Sequence, residues 1–181
     1  MIRFIPESVV IAIHDDQIRL YGGAYGVRDT AALDAALHMP QAGFGGEFLH
    51  TTIFAMAAAY GFHLCQNHPF LDGNKRTAGM VMFTFLQLNG VEPGASEPDY
   101  YAVMMAVASG QMSKEQLAVW LQEIVGYTLS TNSSNTPFAA LGWIKIARPS
   151  AAMRGCLSST GAPFSCILAR AASISSTSRQ M

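Results

Sequence analysis

Charge is what this chain has little of. Only 13% of its 181 residues are Asp, Glu, Lys or Arg, against 50% hydrophobic, where roughly 25% charged is usual for a soluble domain. That composition supplies a packed core and excludes a globally disordered chain. With a formal net charge of −1 there is no overall basic footprint, so direct nucleic-acid binding is not expected. Long apolar runs are missing as well: none reaches the roughly 18 residues that a membrane span needs. The five apolar residues from Val9 to Ile13, ahead of Asp15 and Asp16, are too few for a secretory signal. A soluble, cytoplasmic protein is the expectation. Cysteine is scarce and odd in number. Cys65, Cys156 and Cys166 have no C-x-x-C spacing, which argues against a disulfide framework and a zinc site.

Acidic residues are missing from one part altogether. All 12 Asp and Glu lie before Gly126, with six of the 11 Lys and Arg, whereas residues 126–181 hold five basic residues, eleven serines and no acid. Such a break in composition marks a domain boundary. Residues 1–125 are expected to form the domain, and 126–181 a Ser-rich basic tail, read as disordered or as an appended segment. The length leaves room for one domain and little more, and neither part shows an internal repeat.

What is present in residues 1–125 is helical period. Pro6 suits the start of a helix whose stripe Val9, Val10, Ile13 and Ile18 ends at Gly22-Gly23. Asp29 suits the N-cap of a second helix, through Leu33 and Leu37 to Pro40, with a loop from Gln41 to Gly46. A core helix is expected over about Leu49 to Cys65, from Ile53, Met56, Ala57, Tyr60 and Leu64. Another begins near Gly73 and runs through Ala78, Val81, Met82, Phe85 and Leu86 to Asn89-Gly90. Two more follow, near Asp99 to Ser109 and from Ser113 to Val125, the latter with Ser113 and Gln116 as a capping box. The fold class is therefore all-α, a bundle of about six helices.

Between the third and fourth helices lies His68-Pro69-Phe70-Leu71-Asp72-Gly73-Asn74-Lys75-Arg76-Thr77. It sets an imidazole and a carboxylate on a short loop just ahead of a helix whose first turn carries two of the domain's six cations. A helix N-terminus presents unpaired N–H groups, glycine lets an anion approach the backbone, and the cations complete a phosphate-sized cradle. Asp72 suits Mg²⁺, which is satisfied by one carboxylate with phosphate oxygens and water. His68 suits the removal of a proton from an attacking hydroxyl. Singly, each residue has a plainer explanation: Asp72 as an N-cap, Lys75 and Arg76 as a solvated first turn, His68 as a loop residue. Their coincidence at one helix start favours a site. It is not a Walker A loop, because the G-x-x-x-x-G-K-[ST] frame is absent.

At HPFLDGNKRTAG, His68 to Gly79, the chain resembles the Fic/Doc superfamily, whose commoner Fic form reads HPFx[D/E]GNGRxxR. Gly22-Gly23, the run from Gly26 to Gln41 and AAAYGFHLCQNHPF from Ala57 to Phe70 further resemble the death-on-curing (Doc) branch, toxins of bacterial toxin–antitoxin pairs. The likeness covers about residues 1–125. Two departures from the Fic form stand out: Lys75 replaces the glycine that leaves room for the nucleotide's phosphates, and Gly79 replaces the final arginine that grips them. Lys75 matches the Doc pattern NKR. The resemblance implies an ATP- and Mg²⁺-dependent protein kinase that phosphorylates a threonine of elongation factor Tu. By position it implies His68 as the base, Asp72 as the Mg²⁺ ligand, and Asn74, Lys75 and Arg76 as phosphate holders behind Gly73. An AMP transferase and a non-catalytic, decayed nucleotide-binding module are the alternatives. Many Fic enzymes carry an inhibitory [S/T]xxxE[G/N] helix; here no Glu precedes Gly or Asn, so control in trans by an antitoxin that folds on binding is expected.

Other residues are assigned to structure. His14, His38, His50 and His63 lie on expected helices, and His63 with His68 lacks metal-ligand spacing. Phe70 is read as an apolar plug, and Met80, Met82, Met104 and Met105 as core filler. Gly43 to Gly46 is either a flap that holds the target segment, as the resemblance suggests, or a plain connection.

Overall fold

A computed structural model describes residues 1–130. Six helices follow in order, α1 (Glu7–Tyr21), α2 (Thr30–His38), α3 (Ile53–Asn67), α4 (Asn74–Leu88), α5 (Glu97–Ala108) and α6 (Lys114–Ser130). The all-α class holds, with one addition in the expected loop at 41–46. A single 3₁₀ turn, Met39–Gln41, leads into a hairpin of two-residue strands, β1 (Gly43–Phe44) and β2 (Glu47–Phe48), with Gly43 opposite Phe48.

The caps explain most of the boundaries. Asp29 accepts the Ala32 N–H at 2.9 Å and starts α2, and Ser113 and Gln116 exchange two hydrogen bonds ahead of α6, each such cap contributing about 1 kcal/mol. The helix expected from Leu49 begins later, because Thr52 caps it by accepting the Ala55 N–H at 3.1 Å. His50 therefore lies ahead of α3 and not on a helix, and Leu49 is exposed. Helix α5 starts at Ser96, with Pro98 in its first turn where a missing N–H costs nothing. Helix α6 runs past the expected boundary at Val125 to Ser130. Of the expected tail, residues 131–181 lie outside the described part.

Helix α3 is the centre of the bundle, packed against α4, α6 and α2. Its Met56, Ala57, Ala58, Ala59, Tyr60, Leu64 and Cys65 are essentially inaccessible. Small residues let α4 come close: a Cβ on Gly61 would lie 2.7 Å from the Met82 sulfur. Phe83, Phe85 and Leu86 of α4 and Leu117 and Leu121 of α6 complete this core, each large side chain stabilising it by roughly 1.5–3 kcal/mol. Tyr60 reaches the chain start, where its hydroxyl accepts the Ile5 N–H at 3.2 Å. Among the methionines expected in the core, Met82 and Met104 are buried, Met80 is half-buried, and Met105 is exposed beside the site. Among the described residues no helix is long and apolar enough to cross a membrane.

Candidate active site

Helix α3 ends where His68 turns into the left-handed region, φ 48° and ψ 53°, the single non-glycine residue with positive φ among those described. Such a conformation costs on the order of 1 kcal/mol, so the surroundings must impose it. They do so through main-chain straps. The Pro69 carbonyl accepts from the N–H groups of Arg28 (2.7 Å) and Asp29 (3.1 Å), and the Leu71 N–H donates to the Gly26 carbonyl at 3.0 Å. Val27 and Phe70 pair as an isolated antiparallel bridge between these straps. Phe70 is buried, as its reading as a plug requires, and the Asn74 side chain grips its backbone from below, donating to its carbonyl and accepting its N–H, both at 2.9 Å.

The loop then enters α4 through Gly73, the N-cap, at φ 72° and ψ 9°. Glycine has no side chain to satisfy the first N–H groups of α4, so the helix start keeps its attraction for anions. Asp72 is not the cap residue. Its carboxylate instead accepts the Gly73 N–H at 2.5 Å. All six residues singled out in the sequence, His68, Asp72, Gly73, Asn74, Lys75 and Arg76, line one open cavity of about 230 Å³ together with Leu71. His68, Asp72 and Lys75 are exposed to it, Asn74 and Arg76 are half-buried, and Gly73 is buried.

Two of the six also have structural partners. Besides the Asn74 brace, the Arg76 guanidinium donates to the carbonyls of Gly22 (3.0 Å) and Gln17 (3.4 Å) and lies 5.5 Å from the centre of the Tyr21 ring. Arg76 thus ties α4 to the end of α1. Lys75 is less constrained: its ammonium rests 3.5 Å from the Met105 sulfur, a weak acceptor.

Helix α1 is the wall that sequence reading missed. His14, assigned to plain structure, is buried with its ring stacked on Phe70 at 4.1 Å and 9°, and its Nε2 is 3.2 Å from the Asp72 carbonyl oxygen. The signal was its position one turn after Val10, on the apolar face of α1. Gly22-Gly23 also has its reason here. Gly23 has φ +125°, and a Cβ on it would overlap the Asp72 carboxylate, so the second glycine makes room for that carboxylate.

A second cavity, about 280 Å³, shares Lys75 and Arg76 with the first and is closed by Tyr100, Tyr101, Met104 and Met105. Tyr100 packs directly over Gly79, where any Cβ would overlap its hydroxyl; burial pushes the ionisation of that phenol well up. The glycine at 79 is thus required by α5, and no longer side chain fits there. Cys65 nearby is buried, and burial pushes its thiol up to about 11, so it stays protonated and unreactive at neutral pH.

A family model described as "Fic/DOC family" matches residues 4–86. The chain is 33% identical over 124 residues to "Protein kinase doc" of Escherichia phage P1, covering 68% of this chain and 97% of that protein. The chain belongs to the Fic/DOC family. Within it the likeness is to Doc: "Toxin Doc" of Mycolicibacterium smegmatis is 44% identical over 75 residues, 41% of this chain and 58% of that protein. The Fic/DOC match spans α1 to most of α4, that is, both walls of the cavity and the loop between them.

Proposed function

We propose that this chain is the toxin of a bacterial toxin–antitoxin pair and moves the terminal phosphoryl group of ATP to a protein hydroxyl, a threonine of elongation factor Tu by family resemblance. The observation that carries this reading is Lys75: its charge sits on the first turn of α4, in the same cavity as His68 and Asp72, where it occupies the room a glycine would leave. In the proposed reaction His68 takes the proton of the target hydroxyl. The hydroxyl oxygen bonds to phosphorus as the bond to the bridging oxygen of ADP breaks, and ADP leaves. Lys75, Arg76 and the uncapped N–H groups of α4 meet the phosphate charge, which is most of what a protein contributes to phosphoryl transfer. The donor set fits Mg²⁺: Asp72 is the one carboxylate lining the cavity, and the described residues contain no cluster of three or more His, Cys, Asp or Glu. An ion held there by Asp72 and phosphate oxygens would neutralise charge on the transferring group. Control falls to a cognate antitoxin whose segment folds against this domain, a coupled folding whose ordering cost suits regulation.

The test is incubation of the full chain with ATP labelled at the terminal or the innermost phosphate, in cell extract, followed by identification of the labelled protein. Terminal label should reach the target and fall by about 10²-fold or more in His68→Ala, with the helical content unchanged. Innermost label on the target would make the chain an AMP transferase. Nucleotide binding without labelling from either position would make it a non-catalytic module, and undiminished transfer by His68→Ala would remove the base.

A further inference from the structure

We propose that His14 is a positioning residue of this site, locking the Asp72–Gly73 peptide so that its carbonyl faces α1, away from a bound anion, and its N–H holds the Asp72 carboxylate. The geometric premise stands alone; its consequence for rate rests on the phosphoryl-transfer reading above.

A polar ring on the apolar face of a helix is costly unless its nitrogens are satisfied. The His14 side chain is 1% exposed and meets this need through the Asp72 main-chain oxygen at 3.2 Å. A carbonyl oxygen only accepts, so Nε2 carries the hydrogen. Its Nδ1 lies 3.4 Å from the exposed carboxylate of Asp15. In a trans peptide the C=O and N–H point to opposite sides, and none of the described peptides is cis. With the Asp72 carbonyl held toward His14, the Gly73 N–H is turned the other way, to the Asp72 carboxylate that lines the cavity. Something must hold it there, because Gly73 sits at φ +72° and glycine visits positive and negative φ about equally. A flip of this peptide would put a carbonyl oxygen into the anion cradle and take from the Asp72 carboxylate the N–H that holds it. The stack of His14 on Phe70 at 4.1 Å fixes the ring plane, and the straps that hold Phe70 fix the stack.

Two variants of the full chain separate the hydrogen bond from the stack. His14→Phe keeps an aromatic ring against Phe70 and loses the donor; His14→Gln loses the ring and keeps an N–H of similar reach. The readouts are the NMR line widths of the Gly73 and Asn74 amides, which need no reaction, and the steady-state rate with its dependence on ATP. In His14→Phe the two amides should broaden by exchange while those of α3 stay sharp, and kcat should fall about tenfold with a smaller change in KM, as expected when a positioned group is loosened rather than a binding contact removed. His14→Gln should keep sharp amides and most of the rate. Sharp amides in His14→Phe, or a larger loss in His14→Gln than in His14→Phe, would overturn the lock. His14→Leu, which also lacks the donor, takes the place of His14→Phe if that variant does not fold. A wild-type chain that transfers nothing would overturn the phosphoryl-transfer reading, and the amide line widths would still judge His14.

Discussion

At the scale of the residue, Lys75 carries the most weight. Among the described residues its ammonium forms no ion pair and rests on a thioether, so it can turn toward a phosphate. Lysine meets phosphate as a point charge on a flexible stem, and its bulk fills space at the helix start. Lys75→Gly is therefore expected to slow terminal phosphoryl transfer by about 10²-fold, near 3 kcal/mol for one preorganised donor, in an assay of label transferred per minute at saturating ATP. A rate equal to the wild type would show that the charge lies elsewhere. Asn74 and Arg76 differ in kind, because each also holds backbone: Asn74 the loop at Phe70, Arg76 the end of α1. Their substitution should cost folded structure as well as rate, and neither variant separates the two effects.

At the scale of the element, the site is a junction of three pieces: the α3 terminus that delivers His68, the α4 start that delivers the cradle, and the α1 wall behind them. Helix α5 joins this arrangement through Gly79. The Tyr100 ring lies on the α4 backbone there, with Phe83 one turn on and 5.4 Å from it. A methyl at 79 must displace Tyr100 and with it the helix that closes the second cavity. Gly79→Ala should destabilise the fold by about 1–3 kcal/mol, the usual cost of overpacking a filled core, although alanine is the better helix former. Urea unfolding followed by circular dichroism measures it; a variant as stable as the wild type would mean that Tyr100 moves aside at no cost.

At the scale of the whole molecule, stability should depend on pH through two histidines that do not line the cavity. His50, ahead of α3, and His63, on α3, both have a buried Nε2 without a hydrogen-bond partner. Burial, with the Lys114 ammonium second, holds both below the ordinary imidazole range. The unfolded chain therefore binds more protons than the folded one near pH 6, and the sign follows: stability is full above the ordinary imidazole value of about 6.5 and declines as pH falls below it. Melting temperatures between pH 7.5 and 5.5 should fall more steeply for the wild type than for a His50→Gln/His63→Gln variant. Equal slopes in the two proteins would assign the pH dependence to other groups.

Much of this protein is legible in the chain itself, for reasons that are local. Apolar period sets the helices, and side-chain caps at Asp29 and Ser113 set two of their starts. The motif from His68 to Arg76 puts the cradle residues within nine positions, so the α3–α4 turn alone suffices to gather them around one cavity. What depends on distant parts of the chain is not legible that way. The exposure of Met105 follows from where α5 lies on α4. His14 reads as one more polar residue on a helix until folding brings it against Phe70 and Asp72, 58 residues further along. Gly23 and Gly79 look like turn and helix glycines until Asp72 and Tyr100 fill the space beside them. Sequence alone determined the helices, the family and the groups gathered at the candidate site, because period, caps and motif are short-range. Only the tertiary structure decided which residues hold those groups in place, because a contact between distant segments leaves no period and no spacing to read.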